Sequence, residues 1–148
     1  NISMHDPLIS PEQIKEDAQQ VYADDFIEKL PAHYDENVLE EGKRLSVGQK
    51  QLLSFARGIV RRPGLLILDE ATSNIDSSTE KLIEAAIENV LKGRTSIIIA
   101  HRLSTIRKAD RILVFSKGRL VEEGTHTQLI EKQGIYSKLY HTQAISLN

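Results

Sequence analysis

Two short apolar runs, Leu65–Leu68 and Ile97–Ala100, bracket a segment punctuated as a helix. That segment, SSTEKLIEAAIENVLKG, opens on a capping box of Ser77 and Glu80 and ends at Gly93. The runs are apolar at consecutive positions, as in strands covered on both faces of a parallel sheet. A strand, a helix and a second strand in the same sheet require a crossover, which makes the pair parallel. A short helix around Ser104–Ala109 and the strand RILVFS continue the alternation. Lys117-Gly118 then turns the chain into RLVEEG as a hairpin, and Thr125 with Gln128 opens C-terminal helices broken at Gly134. The fold class read from this order is α/β, a mainly parallel sheet flanked by helices.

The residues before Pro63 read differently. SPEQIKEDAQQVYA has Ser10 as N-cap, Pro11 at the first helical position and apolar Ile14, Ala18 and Val21 at helical spacing. A short helix, DDFIEKL, stops at Pro31, and PAHYDENVLEEGKRL is a loop. SVGQKQLLSFARGIVRR is the next helix, capped by Ser46, with Leu52, Leu53, Ala56, Ile59 and Val60 on one face and Pro63-Gly64 at its end. The chain therefore divides into a helical part, residues 1–62, and an α/β part, residues 63–148.

Composition narrows the class. The 148 residues suffice for a core, and 40% hydrophobic with 27% charged residues is the balance of a globular domain. A net charge of −2 offers no basic surface for nucleic acid. Cysteine is absent, which suits a reducing compartment, and the apolar runs are far too short to span a bilayer. There is no signal-peptide pattern. The first residue is Asn1 and the only methionine is Met4, so the chain reads as a piece of something longer.

Three places carry chemistry. Asp69 and Glu70 end an apolar strand, and ligands of open α/β sheets sit beyond such ends. Adjacent residues of an extended chain point apart, so one acid can hold a hydrated Mg²⁺ while the other reaches a water. Taken alone, the pair equally fits a solvated loop that caps a helix. The stretch LSVGQ sets Ser46, Gly48 and the following N–H groups at a helix start, which favours anions. By itself it also fits an ordinary capped helix. His101 follows a strand that should end beside the acids, where an imidazole can bridge a phosphate oxygen and a water; alone it is also a plain loop histidine. The five histidines do not sit at zinc-ligand spacings. None of the eight glycines begins the G-x-x-x-x-G-K-[ST] loop that cradles phosphates.

In this order, LSVGQ, LLILDE, SNID and a strand ending in histidine resemble the ATP-binding cassette (ABC) family of transport ATPases. LSVGQ matches the family signature, LLILDE the Walker B strand with its following glutamate, and His101 the H-loop histidine. SNID matches the D-loop, with Asn74 and Ile75 as mild departures from Ser-Ala-Leu-Asp. The resemblance runs from near residue 1 to about Gln143. DDFIEKLPAHYDENVLEEGKRLS and RLVEEGTHTQLIEKQGIYSKLY are similar to the exporter branch, whose ATPase domain follows membrane helices in one polypeptide.

The resemblance implies the C-terminal part of a P-loop NTPase domain, with a helical subdomain that includes the signature helix. The Walker A loop, the glutamine loop and the aromatic residue that stacks on adenine would lie upstream, which accounts for the missing cradle. It implies ATP and Mg²⁺ as ligands, with Asp69 toward the metal, Glu70 as general base and His101 on the γ-phosphate. Ser46, Gly48 and Gln49 would contact ATP held by a second ABC ATPase domain in a head-to-tail dimer, and Asp76 of the D-loop would organise that interface. The other implied partner is the transmembrane part of the same transporter, which places the full-length protein at the cytoplasmic face of the cell membrane; the fragment itself would be soluble. Nucleic acid is not implied. The isolated chain should be inactive and should expose apolar strand surface. Two other readings compete: a soluble ABC-type ATPase outside transport, against which the compact segment before the signature speaks, and a non-catalytic dimerisation module, which the missing phosphate loop keeps open.

Overall fold

The computed structural model describes residues 2–38, 44–69, 76–99 and 103–145. They form two compact units: one holds the described residues of 1–68 and 72–97, the other those of 69–71 and 98–148.

The first unit is mainly helical. Helix α1 (Pro11–Gln20) starts as its sequence predicts: Ser10 is the N-cap, its hydroxyl accepts from Gln13 N at 3.2 Å, and Pro11 opens the helix. The Gln13 side chain does not turn back to complete a box. Its amide instead donates to Val60 O at 2.6 Å, tying α1 to the end of α3 (Val47–Ile59). Between them lie α2 (Asp24–Ile27) and a 3₁₀ turn at His33–Asp35, within the stretch expected to be loop.

Helix α4 (Ser77–Leu91) follows strand β1 (Leu65–Asp69) and leads to β2 (Thr95–Ile99). The two strands are hydrogen-bonded neighbours in a parallel pair, as the strand–helix–strand order requires. Sequence pattern places the α4 cap at Ser77; the structure places it at Asp76. A carboxylate takes two N–H donors more strongly than a hydroxyl, and Asp76 Oδ1 accepts from Ser78 N at 3.1 Å and Thr79 N at 2.9 Å. Gly93, at φ 69, follows the helix in the left-handed conformation that a glycine adopts freely.

The core of this unit is a single cluster. Leu52, Leu53, Ala56 and Ile59 of α3 meet Ile83, Ala86, Ile87 and Val90 of α4, with Ala18 and Val21 from α1 and its end, and Leu66 from β1. The spacing on α3 and α4 is the helical apolar stripe. Each fully buried aliphatic chain in it contributes roughly 1.5–3 kcal/mol. A reciprocal amide pair, Gln20 Nε2 to Asn89 O at 3.1 Å and Asn89 Nδ2 to Gln20 O at 3.0 Å, fixes the register of α1 on α4.

The strands depart from expectation. Both were read as covered on each face, yet Leu65 (50%), Ile67 (63%), Ile97 (54%) and Ile99 (52%) are exposed, while Leu66 lies in the core. Alternate side chains of a strand point to opposite faces, and among the described residues only one face is packed against helices.

The second unit contains α5 (Leu103–Arg107), the antiparallel pair β3 (Ile112–Ser116) and β4 (Arg119–Gly124), then α6 (His126–Glu131) and α7 (Ile135–Ile145). The third strand of the predicted alternation thus pairs in a hairpin with β4. Lys117 (φ 48) and Gly118 (φ 74) form its two-residue turn, both left-handed as the twist of a tight hairpin requires. The Thr125–Gln128 capping box forms as read. Glu122 of β4 accepts from Ile135 N at 2.6 Å and Tyr136 N at 3.0 Å, anchoring the start of α7, and a side chain on Gly134 would collide with that carboxylate.

Asp17 is buried in α1 with one carboxylate oxygen unpartnered. Burial pushes its pKa up, while the charges of Arg62 and Arg94 pull it back in part. The folded pKa lies above the unfolded one, so this group's favourable contribution is complete below the unfolded pKa and is lost as pH rises through the folded pKa. Asp17→Asn should therefore stabilise the chain at pH 7 by about 1 kcal/mol, and the gain should shrink toward pH 4; urea unfolding at both values measures it. The exposed apolar strand face predicts concentration-dependent self-association, visible by sedimentation velocity; a sharp monomer at all concentrations would contradict it.

Candidate functional site

The signature stretch folds as the start of α3. Ser46 is extended (φ −64, ψ 164) and caps the helix through a complete box: its hydroxyl accepts from Gln49 N at 3.2 Å, and Gln49 Oε1 accepts from Ser46 N at 2.9 Å. The pattern Ser-x-x-Gln was the readable signal for this reciprocal bond. The box uses the N–H groups of Ser46 and Gln49, so of the four donors a helix start leaves over, those of Val47 and Gly48 have no partner among the described residues. Ser46 Oγ spends an acceptor site on Gln49 N, and its own proton has no acceptor among the described residues. The turn thus presents two backbone donors and a hydroxyl at the positive end of a helix, a ready anion site. Val47, whose N–H belongs to this set and whose side chain is exposed, was missed by reasoning from side chains.

Gly48 is buried, and its missing side chain points into its own protein. A Cβ there would overlap Thr79 Cγ2 outright and lie 3.5 Å from Thr79 Cβ and 3.8 Å from Ile83 Cδ1. A glycine lets another backbone or a ligand come close, and in the Cβ direction what occupies the space is the first turn of α4.

That turn is the one capped by Asp76. Its carboxylate also accepts from Ser78 Oγ, and these bonds, the Ser78 hydroxyl first and the Thr79 N–H next, hold its pKa far below the usual carboxylate range. Asp76 therefore stays ionised at any physiological pH. Asp69 ends β1 with an exposed carboxylate. Glu70 and His101 lie outside the described residues, as do Asn74 and Ile75. Among the described residues no three His, Cys, Asp or Glu side chains gather as a metal cage. Mg²⁺ needs no such cage, since it is commonly held by one or two carboxylates, waters and the substrate's phosphates, and a hard oxygen donor such as Asp69 suits it.

Comparison with known proteins identifies the family. A family model described as ABC transporter matches residues 2–73. An ATP-dependent lipid A-core flippase of Legionella pneumophila is 52% identical over 134 residues, 90% of this chain and 23% of its own length. An uncharacterized ABC transporter ATP-binding protein of Bacillus subtilis is 50% identical over 143 residues, 97% of this chain and 24% of its own. The structure of a bacterial Atm1-family ABC exporter with ATP bound superimposes with a TM-score of 0.83 and 40% identity, covering 97% of this chain and 25% of that one. The fold is that of the P-loop NTPases. Within that class the chain belongs to the ABC transporter family, where it corresponds to the C-terminal part of the ATP-binding domain of exporters. It spans about a quarter of the length of these relatives.

Among the described residues no helix is long and apolar enough to cross a membrane. Removing the cap hydroxyl with Ser46→Ala should cost about 1 kcal/mol of stability; chemical denaturation of the chain measures it directly.

Proposed function

We propose that this chain is the signature-bearing part of an exporter ATPase domain, which couples ATP binding and hydrolysis to transport across a membrane. The observation that carries this reading is the α3 start, whose capping box leaves the Val47 and Gly48 N–H groups and the Ser46 proton for an anion. In the working transporter that anion is the γ-phosphate of ATP held by a second ABC ATPase domain, docked head to tail. Ser46, Gly48 and Gln49 act there in trans: Gly48 through its N–H, Ser46 through its O–H, and Gln49 by bracing the turn.

Within the same domain, Asp69 holds Mg²⁺, which neutralises phosphate charge when bound. Glu70 takes a proton from the attacking water, and His101 donates to a γ-phosphate oxygen and orients that water. Asp76, its pKa held low by the Ser78 and Thr79 bonds, organises the interface between the two domains. Residues 1–62 serve as the helical subdomain and 63–148 as part of the catalytic α/β core. The transmembrane part of the same transporter is the other partner, so the protein works at the cytoplasmic face of the membrane.

Phosphoryl transfer rests on placement, charge neutralisation and an oriented water. In the full-length transporter, Glu70→Gln should abolish most ATP turnover while ATP-driven closure of the dimer survives; undiminished hydrolysis would count against Glu70 as base. The chain alone should bind Mg-ATP no tighter than about 100 μM by calorimetry, since some 5.5 kcal/mol would have to come without a phosphate cradle. Tight binding by the chain itself would place the nucleotide elsewhere and refute these roles.

A further inference from the structure

We propose that Thr79 is a positioning residue for the signature turn: its methyl group, fixed by the Asp76-capped start of α4, sets where Gly48 stands. The inference rests on the reading of Ser46–Gln49 as the phosphate-binding turn and adds a residue outside every motif recognised in the sequence.

Four observations on one small region carry it. Gly48 is buried, and the volume its side chain would take is already filled by Thr79 Cγ2. The Thr79 N–H is bonded to Asp76 Oδ1 at 2.9 Å, so its backbone is pinned to the D-loop aspartate. Thr79 is β-branched, so few side-chain rotamers are open to it, and the one it adopts aims the methyl at Gly48. On the other side, the Ser46–Gln49 box closes the first turn of α3, so Gly48 and the N–H groups beside it move together as one turn.

Two capped helix starts are thus pressed together through one methyl group. A shift of Asp76 is passed to Thr79 through the cap and from Thr79 to Gly48 by contact. The Val47 and Gly48 N–H groups shift with it. Asp76, proposed at the dimer interface, thereby gains a short intrachain route to the phosphate-binding turn. Gly48 answers first to α4, and the phosphate meets a turn whose place α4 has set.

The test is a set of variants in the full-length transporter. Gly48→Ala should lower ATP turnover by about tenfold or more, since the added methyl forces the two turns apart. Adding Thr79→Ala removes the obstructing methyl and leaves only ordinary contact, so G48A/T79A should recover to within about threefold of Thr79→Ala alone. G48A/T79V keeps a methyl group at the contact and should not recover. ATP affinity of the unpaired domain should be the same in all four proteins, because the defect lies in the turn offered to the opposite domain.

Recovery with alanine but not valine supports the proposal; equal failure of both double variants, or equal recovery, overturns it. Melting midpoints of the same proteins give the same decision should Gly48→Ala fold poorly, the alanine double variant regaining the lost midpoint and the valine one not. The Glu70→Gln control separates the two readings. If wild-type turnover does not depend on Glu70, the functional reading has failed, and the midpoints still decide whether Thr79 sets Gly48.

Discussion

Helix α3 can lie against α4 at its first turn because position 48 has no side chain. The close approach brings Gly48 onto Thr79 and sends the apolar stripes of both helices, Leu52 to Ile59 and Ile83 to Val90, into one core. A β-carbon at 48 would force α3 off α4 at the end where the functional groups stand. Helix packing tolerates such displacement poorly, because interiors are filled to crystal-like density. One glycine therefore fixes the crossing of two helices and the direction in which the α3 donors face.

The caps give that contact its rigidity. A helix start normally frays, since four N–H groups lack partners. Here Ser46 and Gln49 close one start and Asp76 closes the other. The residues proposed to meet an anion and those that hold the helix in place are partly the same, since Ser46 also caps α3. α1 completes the arrangement by bonding to both partners, through Gln13 to Val60 at the end of α3 and through Gln20 to Asn89 of α4. The second unit solves a comparable problem by other means: Glu122, far from α7 in sequence, supplies the acceptor for its first N–H groups, and Gly134 makes room for it.

Much of this was legible residue by residue. Ser10, Pro11, Thr125 and Gln128 announce helix starts by local chemistry, and the structure keeps them. Lys117-Gly118 announces a tight turn for the same reason. The α4 cap was misplaced by one residue, because Ser77 and Asp76 are both good caps and only the backbone path decides between them. Gln13 N–H donates to Ser10 as a local cap requires, while the Gln13 side chain bonds to a carbonyl far along the chain that no local pattern indicates. The two strands looked covered on both faces, but apolar sequence states only that a face favours burial, not that something lies over it.

The sequence by itself determined the order of elements, their amphipathic faces and the motifs that mark an ABC ATPase, since all of these depend on residue type and spacing along the chain. Tertiary structure alone decided what lies against Gly48, and that it is the methyl group of Thr79. Their positions lie 31 residues apart in the chain, and no local pattern links them. The link exists only because two helices cross where one lacks a side chain and the other offers a methyl group. A sequence records which residue lacks a side chain; only the packed structure shows what fills the space.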